Sequence, residues 1–184
     1  MKTDAQEANR KCLKLRETQS LGISGVIEIF NVNIYIELDD NSAKRQKRAF
    51  GVMVEFVLKD GTKEIRDVCG VDMATGNQIA VMALTEGLGI LTKSCSVTVH
   101  MENRYVSESI RTGRVKQWAD SEWKTVKGKP IANVEEWQQL YSLLQKHRVM
   151  IADVVRHSYR EKLEEKYLKL LEESNRWEQQ QIKK

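Results

Sequence analysis

Between Lys116 and Lys129 two tryptophans, Trp118 and Trp123, alternate with Lys116, Lys124, Lys127 and Lys129. Aromatic rings among ammonium groups make a surface that can hold a phosphate backbone by charge and bases by stacking. The plainer reading is that the rings pack this segment onto the domain and the lysines are solvated. A second basic cluster, Lys44, Arg45, Lys47 and Arg48, is either a phosphate-contacting loop or a solvated turn. Other chemistries lack their residues. The three histidines are far apart, and the three cysteines (Cys12, Cys69, Cys95) lack metal-type spacing, so they read as reduced thiols of a cytosolic protein. No phosphate-cradling Gly-rich loop with lysine, no dinucleotide fingerprint and no G-x-S-x-G elbow is present.

The elements that must position these residues follow from periodicity. Val134, Trp137, Leu140, Tyr141 and Leu144 recur at helical spacing, which predicts an amphipathic helix over 134–147 with Asn133 at its N-cap and a turn at Pro130. Residues 26–38, rich in β-branched and aromatic types, form one long strand or two short ones. Strands follow at 50–58 and 62–72, joined by a hairpin turn at Lys59-Asp60-Gly61. A buried helix is predicted at about 77–91, with Gly87 and Gly89 weakening it or allowing close packing. A strand at 96–101, a short helix ending at Gly113 and a last strand at 148–156 complete the domain. Strands alternating with helices in the second half imply parallel crossovers. The fold class is therefore α/β, a mixed five-stranded sheet with helices on both faces.

Composition bounds the function classes. The 184 residues fit one domain with extensions, at a net charge of +4, with 30% charged and 41% hydrophobic residues. That mild basicity does not demand a nucleic-acid partner. No apolar run is long enough for a membrane span, and the first twenty residues lack a signal peptide's apolar centre. Residues 1–25 read as an N-terminal arm or helix, 26–158 as the domain, with a basic segment at about 114–133, and 159–184 as a C-terminal helical extension. In that extension Leu163, Tyr167, Leu170, Leu171 and Trp177 mark one stripe, suited to packing on the domain or to a protein partner or homodimer.

The stretch W-K-T, a spacer, K-P, then N-V-x-x-W-x-x-L resembles the ribonuclease H family, where it forms a basic handle followed by a helix. The resemblance continues through QKHRVMIADVVRH and extends over roughly residues 32–170. It implies the ribonuclease H-like fold and cleavage of the RNA strand of an RNA/DNA hybrid with two magnesium ions. Two divalent ions about 4 Å apart need clustered hard oxygen ligands.

Carried over residue by residue, the resemblance sets Glu37 of V-N-I-Y-I-E at the first-strand aspartate position, though a shifted register would set Val32 there. In G-N-Q-I-A-V-M-A the first-helix glutamate position falls on Val81, which cannot bind metal. Glu102 of T-V-H-M-E-N-R-Y-V takes the fourth-strand aspartate position; capping of the next helix is its alternative role. Glu161, Glu164 and Glu165 are candidates for the last acidic position, with Glu164 taken as the metal ligand beside Glu37 and Glu102 if the site is active. The family histidine falls on His157, without flanking glycines, and Asn77 and Gln78 match positions that contact the RNA strand. A glutamate moves its carboxylate by about 1.5 Å, against a tolerance of about 0.5 Å. The expectation is a ribonuclease H-like protein with impaired catalysis, binding RNA/DNA hybrid or duplex RNA by shape and phosphate contact. The alternatives are a ribonuclease dependent on Mg²⁺ or Mn²⁺ with glutamate ligands, and a protein-interaction or inhibitor module.

Overall fold

The computed structural model describes residues 30–58, 60–153 and 156–182. The expected N-terminal arm and Cys12 lie outside them. Strands β1 (Phe30–Leu38), β2 (Gln46–Val57) and β3 (Lys63–Ala74) form an antiparallel meander. Helix α1 (Gly76–Gly89) crosses to β4 (Cys95–Met101), which pairs parallel with β1. Helices α2 (Arg104–Arg111), α3 (Arg114–Asp120) and α4 (Val134–Leu144) lead to β5 (Arg148–Ile151), parallel to β4, and α5 (Arg160–Ile182) closes the fold. The sheet order is β3-β2-β1-β4-β5, a mixed five-stranded sheet as the pattern predicts.

Alternation along β1 divides the two faces. Val32, Ile34 and Ile36 are at most 2% exposed and face the core with α1. Asn33, Tyr35 and Glu37 face the other way, where Glu55, Tyr159 and Arg160 meet them. Gly87 permits the close approach of α1: a Cβ there would lie 3.0 Å from Val52 and 3.1 Å from Ile34. The other weak point of that helix, Gly89, has open space around it.

Several boundaries differ from the pattern reading. The second strand begins at Gln46 rather than 50, because Gln46, Lys47 and Arg48 pair with Ala74, Met73 and Asp72 of β3. The last strand ends at Ile151 rather than 156, since Ile151 already meets Val99 near the end of β4. Helix α4 stops at Leu144, and Asn133 precedes it in the left-handed region (φ 58°) without a side-chain cap. Gly113 (φ 71°) ends one helix and starts another, so the front of the basic segment is itself helical. No described helix is long and apolar enough to cross a membrane.

Candidate active site and nucleic-acid interface

The register between β1 and β4 brings two carboxylates together. Ile36 lies opposite Met101, so Glu37 and Glu102 come side by side at the C-terminal ends of parallel strands. Open α/β sheets bind ligands at such strand ends. Glu37 is only 8% exposed. Its pKa is raised above the ordinary glutamate value: burial is the largest cause, Glu102 and Glu164 add to it, and the Arg160 guanidinium opposes it. Arg160 Nε donates to Glu37 Oε1 at 2.9 Å, and Arg160 Nη2 donates to Glu102 Oε1.

Glu102 does not cap α2. Asn103 does, accepting from the Val106 N–H at 2.9 Å, while its amide donates to Asn41 and Asn77, each at 3.1 Å. Glu164 lies one turn beyond Arg160 on α5, and its charge acts on Glu37 and Tyr167. His157 Nε2 lies 3.1 Å from Glu37 Oε1. Burial pushes the imidazole pKa down, with Arg160 and His100 adding to the shift and Glu102 opposing it.

Asn77 and Gln78 open α1, but Thr75 caps that helix by accepting from Gln78 N–H at 3.2 Å. Gln78 accepts from Arg45 at 3.0 Å and donates to Glu136, linking the β1–β2 loop to α4. Arg48 is wholly buried rather than part of a solvated or phosphate-contacting loop. Its guanidinium donates to the carbonyls of Ala74, Asp40, Ser42 and Lys44. Hydrogen bonds from Ser42 and Arg48 hold the Asp40 carboxyl down at about 2. Lys47 pairs with Glu178 of α5 at 2.6 Å. Of the second basic cluster, Arg48 and Lys47 are thus committed to partners within the protein, whereas Lys44 and Arg45 are exposed.

The basic segment holds its shape through its rings. Trp118 packs edge-on against Trp137 (5.2 Å between centroids), and Trp123 does so against Tyr141 (5.7 Å). Both tryptophans are half-buried, so packing occupies them. Lys116 pairs with Asp120 at 2.9 Å and Lys124 with Glu122 at 2.6 Å. Lys127 and Lys129 sit exposed on the loop that the Lys124–Pro130 bridge closes, and neither side chain has an ion pair among the described residues.

A sequence model of the RNase H family matches residues 32–164, which spans the sheet, the carboxylate pair, the basic segment and the start of α5. The chain belongs to the ribonuclease H family. A ribonuclease H of Bradyrhizobium diazoefficiens is 38% identical over 93 residues, which is 50% of this chain and 60% of that protein. A ribonuclease H of Chlorobium phaeovibrioides is 31% identical over 97 residues, 52% of this chain and 66% of that protein. The chain thus aligns with less than two thirds of the length of each. Among solved structures, a type 1 ribonuclease H with the type 2 active-site motif superposes with a TM-score of 0.63 at 22% identity, over 79% of this chain and 74% of that one. That likeness is one of fold.

The donors present do not fit the ribonuclease H metal pair. Gly87 packs on β1 and β2, and Ala80, seven residues earlier, shares that face, with Val81 next to it in the core. Both are fully buried and neither has an oxygen side chain. Glu37 and Glu102 are engaged by Arg160, and no group of three or more His, Cys, Asp or Glu among the described residues is arranged to hold a metal. Of the expected trio Glu37, Glu102 and Glu164, the first two are paired with Arg160. The sequence reading missed Arg160. Its signal was the four-residue spacing to Glu164 at the front of the last helix.

Proposed function

We propose that this ribonuclease H-family chain binds RNA/DNA hybrid or duplex RNA without efficient hydrolysis, by shape and phosphate contact. One contrast carries the reading: a basic handle whose exposed Lys127 and Lys129 have no ion pair among the described residues accompanies strand-end carboxylates that receive no oxygen from α1. Lysines placed on a rigid loop release counterions from a phosphate backbone whatever the state of the catalytic centre. The A-form shape of the duplex, rather than base identity, would set the preference.

The test is labelled RNA/DNA hybrid incubated with the full chain and either Mg²⁺ or Mn²⁺, with cleavage and gel retardation read together beside an active ribonuclease H. Retardation without cleavage is the expected result, and no retardation of hybrid or duplex RNA at low salt would overturn it. The adjacency of Glu37 and Glu102, together with the activity named for the relatives, favours a second reading, a metal-dependent ribonuclease with glutamate ligands. Cleavage that Glu102→Gln abolishes would establish that reading instead. Trp177, 64% exposed on the far end of α5, is the feature that would serve a protein partner or a second copy.

A further inference from the structure

Two carboxylates that emerge side by side from parallel strands repel one another, and the cost rises when one is buried. A positive charge between them removes that cost. In a two-ion nuclease metal supplies it. Here the charge next to Glu37 and Glu102 is carried by a side chain of the chain itself.

We propose that Arg160 is the resident cation of this site, standing in for divalent metal between Glu37 and Glu102 and making the site independent of added ions. The proposal deepens the reading of a hydrolytically impaired site and rests on that half of it. One edge of the guanidinium spans both carboxylates, with Nε on Glu37 and Nη2 on Glu102. A guanidinium is planar and permanently charged, and it is suited to bridging two carboxylate oxygens. It does not supply the six oxygen positions that Mg²⁺ demands, nor leave them vacant for it.

Side chains on either side of Arg160 reach β2. Tyr159, the residue before it, donates to buried Glu55 at 2.7 Å. Leu163, three residues on, lies against Gly51, where a Cβ would come within 3.1 Å of it. The first turn of α5 is therefore fixed to the sheet at two points, and Arg160 is aimed at the carboxylates between them. Glu164, one turn along α5, adds a further negative charge that acts on Glu37.

The test is Mn²⁺ titration of the full chain, followed by electron paramagnetic resonance and by thermal melting, for wild type, Arg160→Met, Arg160→Met with Glu102→Gln, and Arg160→Met with Glu37→Gln. Wild type should bind no Mn²⁺ saturably and its Tm should not move with the ion. Arg160→Met should melt several degrees lower, and Mn²⁺ should restore the loss and give a saturable signal. Glu102→Gln in the Met background should abolish that signal. The Glu37→Gln double variant, with no buried unpaired charge, should fold without metal and ignore it. Saturable Mn²⁺ binding by wild type that Glu102→Gln removes would overturn the proposal, as would a folded Arg160→Met chain indifferent to Mn²⁺. Should Arg160→Met fail to fold, the wild-type titration decides. None of these readouts uses nucleic acid, so a failure to retard hybrid would overturn the functional reading and leave the melts unchanged.

Discussion

Glu55 is 2% exposed in the middle of β2, yet it is ionised and held on several sides. Asn33 Nδ2 donates to it at 2.9 Å, Tyr159 Oη at 2.7 Å, and Lys63 Nζ lies 3.1 Å away. Burial acts to raise its pKa, but these donors outweigh burial and bring it below the ordinary 4.5. The phenol of Tyr159 is pushed up in turn to about 12, chiefly by its bond to Glu55. A carboxylate whose folded pKa is depressed stabilises above its unfolded pKa, and that stability is lost as pH falls through the folded value. Glu55→Leu leaves buried donors without an acceptor and should cost about 1–3 kcal/mol at neutral pH. Urea denaturation should show the gap between variant and wild type narrowing as pH falls below 4.5, and a gap constant with pH would refute the account. Glu37 behaves in the opposite sense. Its folded pKa is raised, so the native state binds the proton more readily, and its contribution worsens as pH rises from the unfolded value through the folded one.

Close contacts between elements fix where the site residues stand. Gly76, the first residue of α1, has no room for a side chain: a Cβ would lie 2.4 Å from the backbone carbon of Asn41. That contact locks the loop after β1 against the N-terminus of α1, beside Asn77 and Asn103. Gly76→Ala should cost about 1–3 kcal/mol through overpacking and lower the Tm. An unchanged melt would show that the loop can move away freely. Helix α4 makes the complementary case. Trp137 is wholly buried and meets both Trp118 and Tyr105, so it anchors the handle to the core. Trp137→Ala should cost about 3–5 kcal/mol. Measured at a temperature where the variant is still folded, hybrid retention should also weaken, because Lys127 and Lys129 would lose their rigid mount.

Net charge on the whole molecule is only +4, so a uniform field does not explain affinity for a phosphate backbone. Much of the basic content is internally committed: Arg48 to backbone carbonyls, Lys47 to Glu178, Lys166 to Asp67, Arg111 to Glu108 and Asp153, and Arg160 to the strand-end carboxylates. Among the described residues, Lys127 and Lys129 on the handle loop, and Arg114 at the front of the segment, have no ion pair. Replacing both lysines by glutamine should weaken hybrid binding without sequence preference and reduce the slope of log affinity against log salt by about 1 per lysine. Fluorescence anisotropy over a salt series measures this, and an unaltered slope would locate the phosphate contacts elsewhere.

The sequence by itself determined the order of strands and helices, because alternation in β1 and β4 and the 3.6-residue spacing in α4 are local patterns. It also pointed to the family through the run from Trp123 to His157, and to Glu37 and Glu102 as candidates; the β1–β4 register set them side by side. It did not determine which cation stands between them. Arg160 lies 123 residues from Glu37 and 58 from Glu102, and only the docking of α5 on β2 brings its guanidinium there. It likewise could not separate Arg48, buried among carbonyls, from Lys127, which stands in solvent, since both occur in basic runs of the same kind. Whether a charge is free depends on which backbone and carboxylate oxygens the folded chain turns toward it, and that is settled by long-range packing.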